Sequence, residues 1–274
     1  MSGSVDADAA DPGPFVPADA LTPSLDDEAA LLDRGAAGDL PSLSAAAVPP
    51  RTHELGDPLP GRRSRWGVGL NYLDHADDLA ADPPDRPAFF LQPPASATGP
   101  GGPIRRPPAD ECDRVTGEAE LGVVIGRECR DVAPADVPGV VAGVVPLIDV
   151  TAEDLVKANP RLLVRSKSYD GFLVAGPSVQ TVSPVGAGGA SALVDPATTV
   201  RTVVDGGTVA EGRVADMAFP PGEVVARLSR ATTLAPGDLI ATGTPGAGAI
   251  EPGDEAGAVV EGVGRVDARV VGPD

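Results

Sequence analysis

Gly117-Glu-Ala-Glu-Leu-Gly-Val-Val-Ile-Gly126 is the stretch that most strongly predicts the fold. Small and branched apolar residues dominate it, which predicts a buried β-strand. Glu118 and Glu120 interrupt the apolar run, and their spacing on a strand points both carboxylates to one face, about 7 Å apart. Because two buried like charges need a positive partner, a divalent cation such as magnesium, manganese or calcium would fit between them. The alternative is an edge strand whose glutamates face water.

Composition limits the classes of protein to which the chain can belong. Its 274 residues suffice for one large domain or two modest ones, and 42% of them are hydrophobic. The net charge of −19 repels phosphate backbones and anionic lipids, so we expect no nucleic-acid partner and no membrane role. Two cysteines are too few for a disulfide framework, and no signal-peptide pattern opens the chain, so we expect a cytoplasmic protein.

The pattern along the chain predicts a mainly β fold with α decorations, of the α+β class. Residues 1–60, rich in Asp, Ala and Pro, read as a small and partly mobile N-terminal appendage. The remainder, 61–274, reads as one domain. We predict strands over 66–70, 140–148 and 258–271, helices over 72–81 and 221–234, a long loop over 83–108, a strand or turn over 162–167, and a hairpin that begins at 198.

Histidine supplies the first candidates for acid–base chemistry. His53 lies in a proline-rich loop, whereas His75 lies on the predicted helix with Asp78 three residues later. These two side chains would meet on one helix face, where the carboxylate raises the basicity of the imidazole and suits it to act as a general base. A surface His–Asp pair without a catalytic role is the alternative.

Three further features could contribute to a site. Asp149 follows an apolar strand and is either a third oxygen ligand beside the two glutamates or a helix N-cap. Lys167 is one of only two lysines, and lysine offers a compact charge whose pKa burial can tune. The loop Thr242-Gly243-Thr244 could present hydroxyls to a carboxylate, or it could be an ordinary turn.

Taken together and in order, these stretches resemble the fumarylacetoacetate hydrolase family. The matching motifs are Gly67-Val-Gly-Leu-Asn-Tyr-Leu-Asp-His75, Pro87-Ala-Phe-Phe-Leu-Gln-Pro-Pro94, Gly117 to Arg127, Asp149-Val-Thr-Ala152, Lys167-Ser-Tyr-Asp170, Asp216-Met-Ala-Phe219 and Pro236 to Pro245. They run from about residue 66 to the C-terminus.

The resemblance implies a catalytic domain over 61–274, built as a mixed β-roll or sandwich, in a homodimer. It implies that Glu118, Glu120 and Asp149 bind a divalent ion, commonly Mg²⁺, with Mn²⁺ or Ca²⁺ as alternatives. His75 and Asp78 would activate water, and Lys167 would lie beside the metal as a third catalytic residue. Substrate binding would fall to Tyr72, Gln92, Thr242, Gly243 and Thr244.

The implied substrate is a small 2-oxo or 1,3-dicarbonyl acid whose enolate the metal stabilises as a Lewis acid. The implied reaction is hydrolysis of a C–C bond, as in acylpyruvates or fumarylacetoacetate, or else decarboxylation or isomerisation. One alternative is a repurposed member that performs cyclisation, dehydration or isomerisation in a specialised biosynthetic pathway. Another is a catalytically silent protein that binds a ligand or acts as a scaffold.

Three departures from the family pattern bear on the substrate. The family's usual lysine is Gln92 here, and the usual Ala-Arg-Asp-x-Gln after the metal aspartate is Ala152-Glu153-Asp154-Leu155-Val156. An acid therefore replaces the arginine, and Val156 replaces a glutamine that binds substrate oxygens in hydrolases. These departures put the usual substrate of the family in question more than the metal site.

Overall fold

β-Strands make up most of the regular structure in the computed structural model, which describes residues 15–17, 63–72, 85–182 and 193–273. The strands are β1 Phe15–Pro17, β2 Arg65–Gly69, β3 Ala88–Gln92, β4 Ala97–Thr98, β5 Ile104–Arg105, β6 Val115–Ile125, β7 Val141–Ala152, β8 Leu173–Ala175, β9 Ser178–Thr181, β10 Thr199–Val204, β11 Gly207–Arg213, β12 Leu239–Ala241, β13 Ala247–Ala249, β14 Glu255–Val260 and β15 Gly264–Val271. The described α-helices are α1 Glu153–Ala158, α2 Leu163–Ser166 and α3 Pro221–Ala231.

The strands of the described residues form two sheets. The larger has ten strands in the order β1-β9-β7-β6-β12-β2-β3, with β13 added to β6 and with β8 and then β4 added to β7. The smaller has five strands in the order β11-β10-β14-β15-β5. The larger sheet curls into a half-barrel. This curl brings Gln92, at the end of β3, into contact with Asp149 of β7.

β6 and β7 form the long antiparallel pair at the centre of the larger sheet. Their register runs from Val115 opposite Ala152 to Ile125 opposite Val141. Val, Ile and Leu dominate both strands and suit a pleated surface that is covered on both faces. Every residue of β7 is buried. A polar side chain on either strand therefore lies in the interior and needs a partner there.

The two faces of β6 contribute to different clusters of apolar side chains. Leu121 and Val123 pack in the large core, to which the smaller sheet also contributes. Val124 belongs to a smaller cluster on the opposite face, together with Leu147 and Leu239. Because side chains alternate along a strand, Glu118 and Glu120 share this second face with Val124. The carboxylates thus lie on the concave side of the curled sheet, next to a small apolar cluster.

The structure confirms the predicted mainly β fold with few helices, and it confirms the hairpin, here β10 and β11. Some local predictions were wrong. Asp149 lies within β7, which continues to residue 152; the segment 162–167 is helical; and the predicted loop 83–108 contains β3, β4 and β5. Prolines bracket β3, which is an edge strand, where proline is tolerated, and this made the segment look like a loop.

Two further predictions lie mainly outside the described residues. These are the N-terminal appendage, of which only β1 is described, and the helix over 72–81. None of the described helices is long and apolar enough to cross a membrane.

Candidate metal site

Three carboxylates meet on the concave side of the larger sheet. Glu118 and Glu120 project from one face of β6, and Asp149 lies directly opposite Glu118 on β7. One carboxylate oxygen from each of the three lies within 4.8 Å of the others. Asp149 and Glu120 are buried, and Glu118 is nearly so. The strand register therefore brings together the three residues predicted as metal ligands.

Lys167 is the positive charge of this cluster. It follows α2, and its Nζ donates to Asp149 Oδ2 at 2.7 Å and to Glu118 Oε2 at 3.1 Å. A third hydrogen bond runs from Nζ to Thr151 Oγ1 at 2.9 Å. Thr151 in turn donates to Glu118 Oε1 at 2.7 Å. Three acceptors thus fix the ammonium group, as expected for a lysine that is 5% exposed.

Gln92 holds the other oxygen of Asp149. Its Nε2 donates to Asp149 Oδ1 at 2.7 Å, so each oxygen of this carboxylate has one donor. Phe90, two residues earlier on β3, places its ring 5.6 Å from Lys167 Nζ, within range of a cation–π contact. Gly67, opposite Phe90 in the sheet, leaves room for this ring, because a Cβ there would lie 2.2 Å from it.

The electrostatics reflect an excess of negative charge. Burial raises the pKa of Asp149 to about 6, although Lys167 opposes this shift. Burial, and then the charge of Asp149, raise the pKa of Glu120 well above its ordinary value. Burial alone would lower the pKa of Lys167, but Asp149 and then the two glutamates outweigh it and raise that pKa. The cluster therefore favours the addition of positive charge.

The loop Thr242-Gly243-Thr244 reaches this cluster through its backbone. The amide of Gly243 donates to Glu120 Oε2 at 2.5 Å. Gly243 has φ +100°, a conformation that favours glycine, and a Cβ there would lie 2.8 Å from that of Asn71. The hydroxyl of Thr242 donates to the Leu121 carbonyl, and that of Thr244 donates to the Gly246 carbonyl. In this structure the loop holds Glu120, and both threonine hydroxyls stabilise the loop.

Tyr72 is buried near Glu120. Its ring packs against Gly212 of β11, and no described residue hydrogen-bonds to its hydroxyl. Burial raises the pKa of Tyr72, and the nearby charges of Glu120 and Asp216 add to this effect. The phenol therefore stays protonated and can donate a hydrogen bond to a ligand.

Other predicted residues lie apart from the cluster or outside the described ranges. His75 and Asp78 lie outside the described residues. Glu153 opens α1 and forms ion pairs with Arg114 and Lys157. The acid that replaces the family arginine therefore has its own partners. Val156 lies half-buried on the same helix.

A divalent ion fits the residues that are present. When ionised, three carboxylates beside one ammonium leave the cluster with two uncompensated negative charges, in a place where Glu120 and Asp149 are buried. Hard oxygen donors of this kind suit Mg²⁺, Mn²⁺ or Ca²⁺ better than softer metals. Glu118, Glu120 and Asp149 would hold such an ion.

Comparison with known proteins decides the family. A model described as the fumarylacetoacetate (FAA) hydrolase C-terminal domain matches residues 64–271. The chain belongs to the fumarylacetoacetate hydrolase family. Enzymes of this family related to the chain are named as isomerases, decarboxylases and hydrolases.

Three relatives show the range of these reactions. A 4-hydroxyphenylacetate degradation bifunctional isomerase/decarboxylase of Escherichia coli is 40% identical over 208 residues, covering 75% of this chain and 46% of the relative. The chain thus matches under half of that enzyme. The structure of 2-hydroxyhepta-2,4-diene-1,7-dioate isomerase from Mycobacterium marinum is 35% identical with a TM-score of 0.67, covering 79% and 77% of the two chains. Fumarylpyruvate hydrolase from Pseudomonas aeruginosa, in complex with Mn²⁺ and pyruvate, is 25% identical with a TM-score of 0.66, covering 76% and 89%.

Sequence reasoning missed two residues that support this cluster of carboxylates. Thr151 lies in the motif Asp149-Val-Thr-Ala, and its position two residues after Asp149 on the same strand face could have indicated its role. Asn71 is the other: its side-chain amide donates to the carbonyls of Phe219 and Thr242, and its side-chain oxygen accepts from the Phe219 amide. Asn71 therefore anchors the 242–244 loop through partners that are distant in sequence.

Proposed function

We propose that the chain is a divalent-metal-dependent enzyme that acts on a small 2-oxo or 1,3-dicarbonyl acid through an enolate. The observation that carries this proposal is the buried cluster of Glu118, Glu120 and Asp149 beside Lys167. Names of the relatives support isomerisation or decarboxylation first, since the Escherichia coli and Mycobacterium marinum enzymes carry those activities in their names.

Each residue of the site has its own role in this proposal. The three carboxylates bind the ion, which when bound supplies Lewis-acid stabilisation of an enolate. Lys167 holds a fixed ammonium next to Glu118 and Asp149, so a substrate oxygen that gains negative charge there is stabilised without reorganisation of the protein. The Gly243 amide orients Glu120. Tyr72 and Gln92 each offer a buried polar atom to the substrate.

Hydrolysis of a C–C bond is the second candidate, favoured by the sequence pair His75 and Asp78. In that reaction His75 takes a proton from the water that attacks the remote carbonyl, and Asp78 orients the imidazole. The name and the pyruvate complex of the Pseudomonas aeruginosa hydrolase support this reading. For either reaction we propose that residues 61–274 form the catalytic domain and that the active form is a homodimer.

The test begins with protein stripped of metal by a chelator. We expect Mg²⁺ or Mn²⁺ to bind, as measured by calorimetry, and to restore turnover of oxaloacetate or of acylpyruvates. Glu120→Gln keeps the side-chain volume but removes a ligand charge, so it should abolish both binding and turnover. Glu128→Gln, at an exposed position outside the helices and strands, is the matched control and should change neither.

The outcomes separate the alternatives. Full activity of Glu120→Gln or of the stripped protein would overturn the proposal. Metal binding without turnover of any standard oxo acid would favour a repurposed enzyme with a specialised substrate. Absence of metal binding would favour a silent ligand-binding or scaffolding protein.

A further inference from the structure

The amide of Gln92 has a defined orientation beside Asp149. Gln92 is 3% exposed, and its Nε2 donates to Asp149 Oδ1 at 2.7 Å. The reverse orientation would set the amide oxygen against a carboxylate oxygen, and two acceptors repel each other. The carbonyl Oε1 of Gln92 consequently points away from Asp149 Oδ1 but stays within about 5 Å of it, given the dimensions of an amide.

This carbonyl oxygen is buried, and no described residue donates a hydrogen bond to it. A buried acceptor without a donor is unfavourable, so such groups in native proteins usually meet a water or a ligand. The nearest charged groups do not supply the donor. Lys167 already gives its three protons to Asp149, Glu118 and Thr151. The side chains of the described residues therefore leave this acceptor unsatisfied.

The charge balance indicates what kind of donor this is. When all three are ionised, Glu118, Glu120 and Asp149 carry three negative charges against one positive charge on Lys167, so a divalent ion brings this set to neutrality. Arg65, the cross-strand neighbour of Gln92, lies near the opposite charge of Asp238. A further cationic donor is thus not required, which favours a neutral donor such as a hydroxyl.

We propose that Gln92 is a specificity-determining residue whose buried carbonyl accepts a hydrogen bond from a substrate hydroxyl. It selects 2-hydroxy or enol acids over acids that present a keto oxygen or a second carboxylate at the same place. The inference rests on the proposed function, because it assumes that an oxo or hydroxy acid binds beside Asp149. It deepens that function by naming the tautomer that the resting site recognises.

A matched pair of unreactive probes tests the proposal. Lactate and pyruvate are both small monocarboxylates and differ at C2, where lactate carries a hydroxyl and pyruvate a keto oxygen. The dissociation constants of both are measured by calorimetry on Mg²⁺-loaded protein. The preference for lactate is expressed as the ratio of the two constants, which cancels changes that affect both probes.

Gln92→Met keeps the length of the side chain but removes its acceptor and donor. We expect the preference for lactate to fall tenfold or more in this variant, because a site built to pair a hydroxyl discriminates strongly against analogues that lack it. Gln92→Lys supplies a donor instead of an acceptor and should shift the ratio further toward pyruvate. Mg²⁺ affinity and the thermal midpoint of each variant are measured in parallel, and Gln92→Leu replaces Gln92→Met if the latter does not fold.

The results distinguish failure of the role proposed for Gln92 from failure of the proposed function. An unchanged ratio in Gln92→Met, or in Gln92→Leu where it replaces Gln92→Met, with Mg²⁺ binding intact, overturns the role of Gln92 alone. If the wild-type protein binds no Mg²⁺, the proposed function falls and the inference falls with it; if it binds Mg²⁺ but shows no preference for lactate over pyruvate, only the inference falls.

Discussion

Removal of the Lys167 charge should destabilise the metal-free protein strongly. Lys167→Met keeps the aliphatic stem and leaves three buried carboxylates without their ammonium partner. Loss of one partner from a buried ion pair costs about 3–5 kcal/mol of unfolding free energy. At about 2–4 °C per kcal/mol for a chain of this size, the thermal midpoint should fall by roughly 6–20 °C.

The loss of stability in Lys167→Met should depend on pH in a defined direction. In the wild-type protein the pKa of Asp149 is raised from 3.8 to about 6. A raised folded-state pKa gives stability that is present below the unfolded value and is lost as the pH climbs through the folded value. For Asp149 that loss amounts to about 3 kcal/mol between pH 4 and pH 7. Without Lys167 this pKa rises further, so the variant should be weakest near pH 8 and should recover toward pH 5.

The assay is thermal or urea unfolding followed by circular dichroism in EDTA, at pH 5.5 and pH 8. Lys157→Met is the control, because it removes the other lysine of the chain from an exposed pair with Glu153. It should cost under about 1 kcal/mol of unfolding free energy. Equal midpoints for the two variants at pH 8 would refute the electrostatic description of the cluster.

Two further predictions concern metal affinity and the loop. The affinity for Mg²⁺, measured by calorimetry, should rise about tenfold between pH 5 and pH 7. The reason is that protons must leave Asp149 and Glu120 before the ion binds. An affinity that does not change with pH would contradict this prediction. Gly243→Ala should lower the unfolding free energy by about 1–3 kcal/mol, measured in urea, because alanine is strained at φ +100° and its Cβ would meet Asn71. Gly253→Ala, also at positive φ but in open space, separates backbone strain from this contact.

The sequence predicted the parts of the site that depend on local pattern. The two-residue spacing of Glu118 and Glu120 on an apolar strand set their common face, and the β6–β7 pairing then placed Asp149 opposite Glu118. The position of Asp149 was less well predicted, because alternation does not show where a buried strand ends. β7 continues through Thr151, which faces the same cluster.

Contacts that depend on the curl of the sheet could not be predicted. Gln92 and Asp149 lie 57 residues apart, on strands that are not neighbours in the sheet. No periodicity in either strand indicates that they touch. The helical turn of α2 was likewise missed, because Leu163–Ser166 is too short for a helical pattern to emerge.

The order in which the residues of the site are synthesised has a consequence for the nascent chain. Glu118, Asp149 and Lys167 emerge from the ribosome within 50 residues, and their contacts are closed by the β6–β7 pair and α2. The Gly243 amide, which lies 123 residues beyond Glu120, joins last. A chain that ends before β12 lacks both this amide and the strand that joins β6 to β2 in the larger sheet. Premature termination before the 242–244 loop would therefore remove the support of Glu120 together with the centre of that sheet.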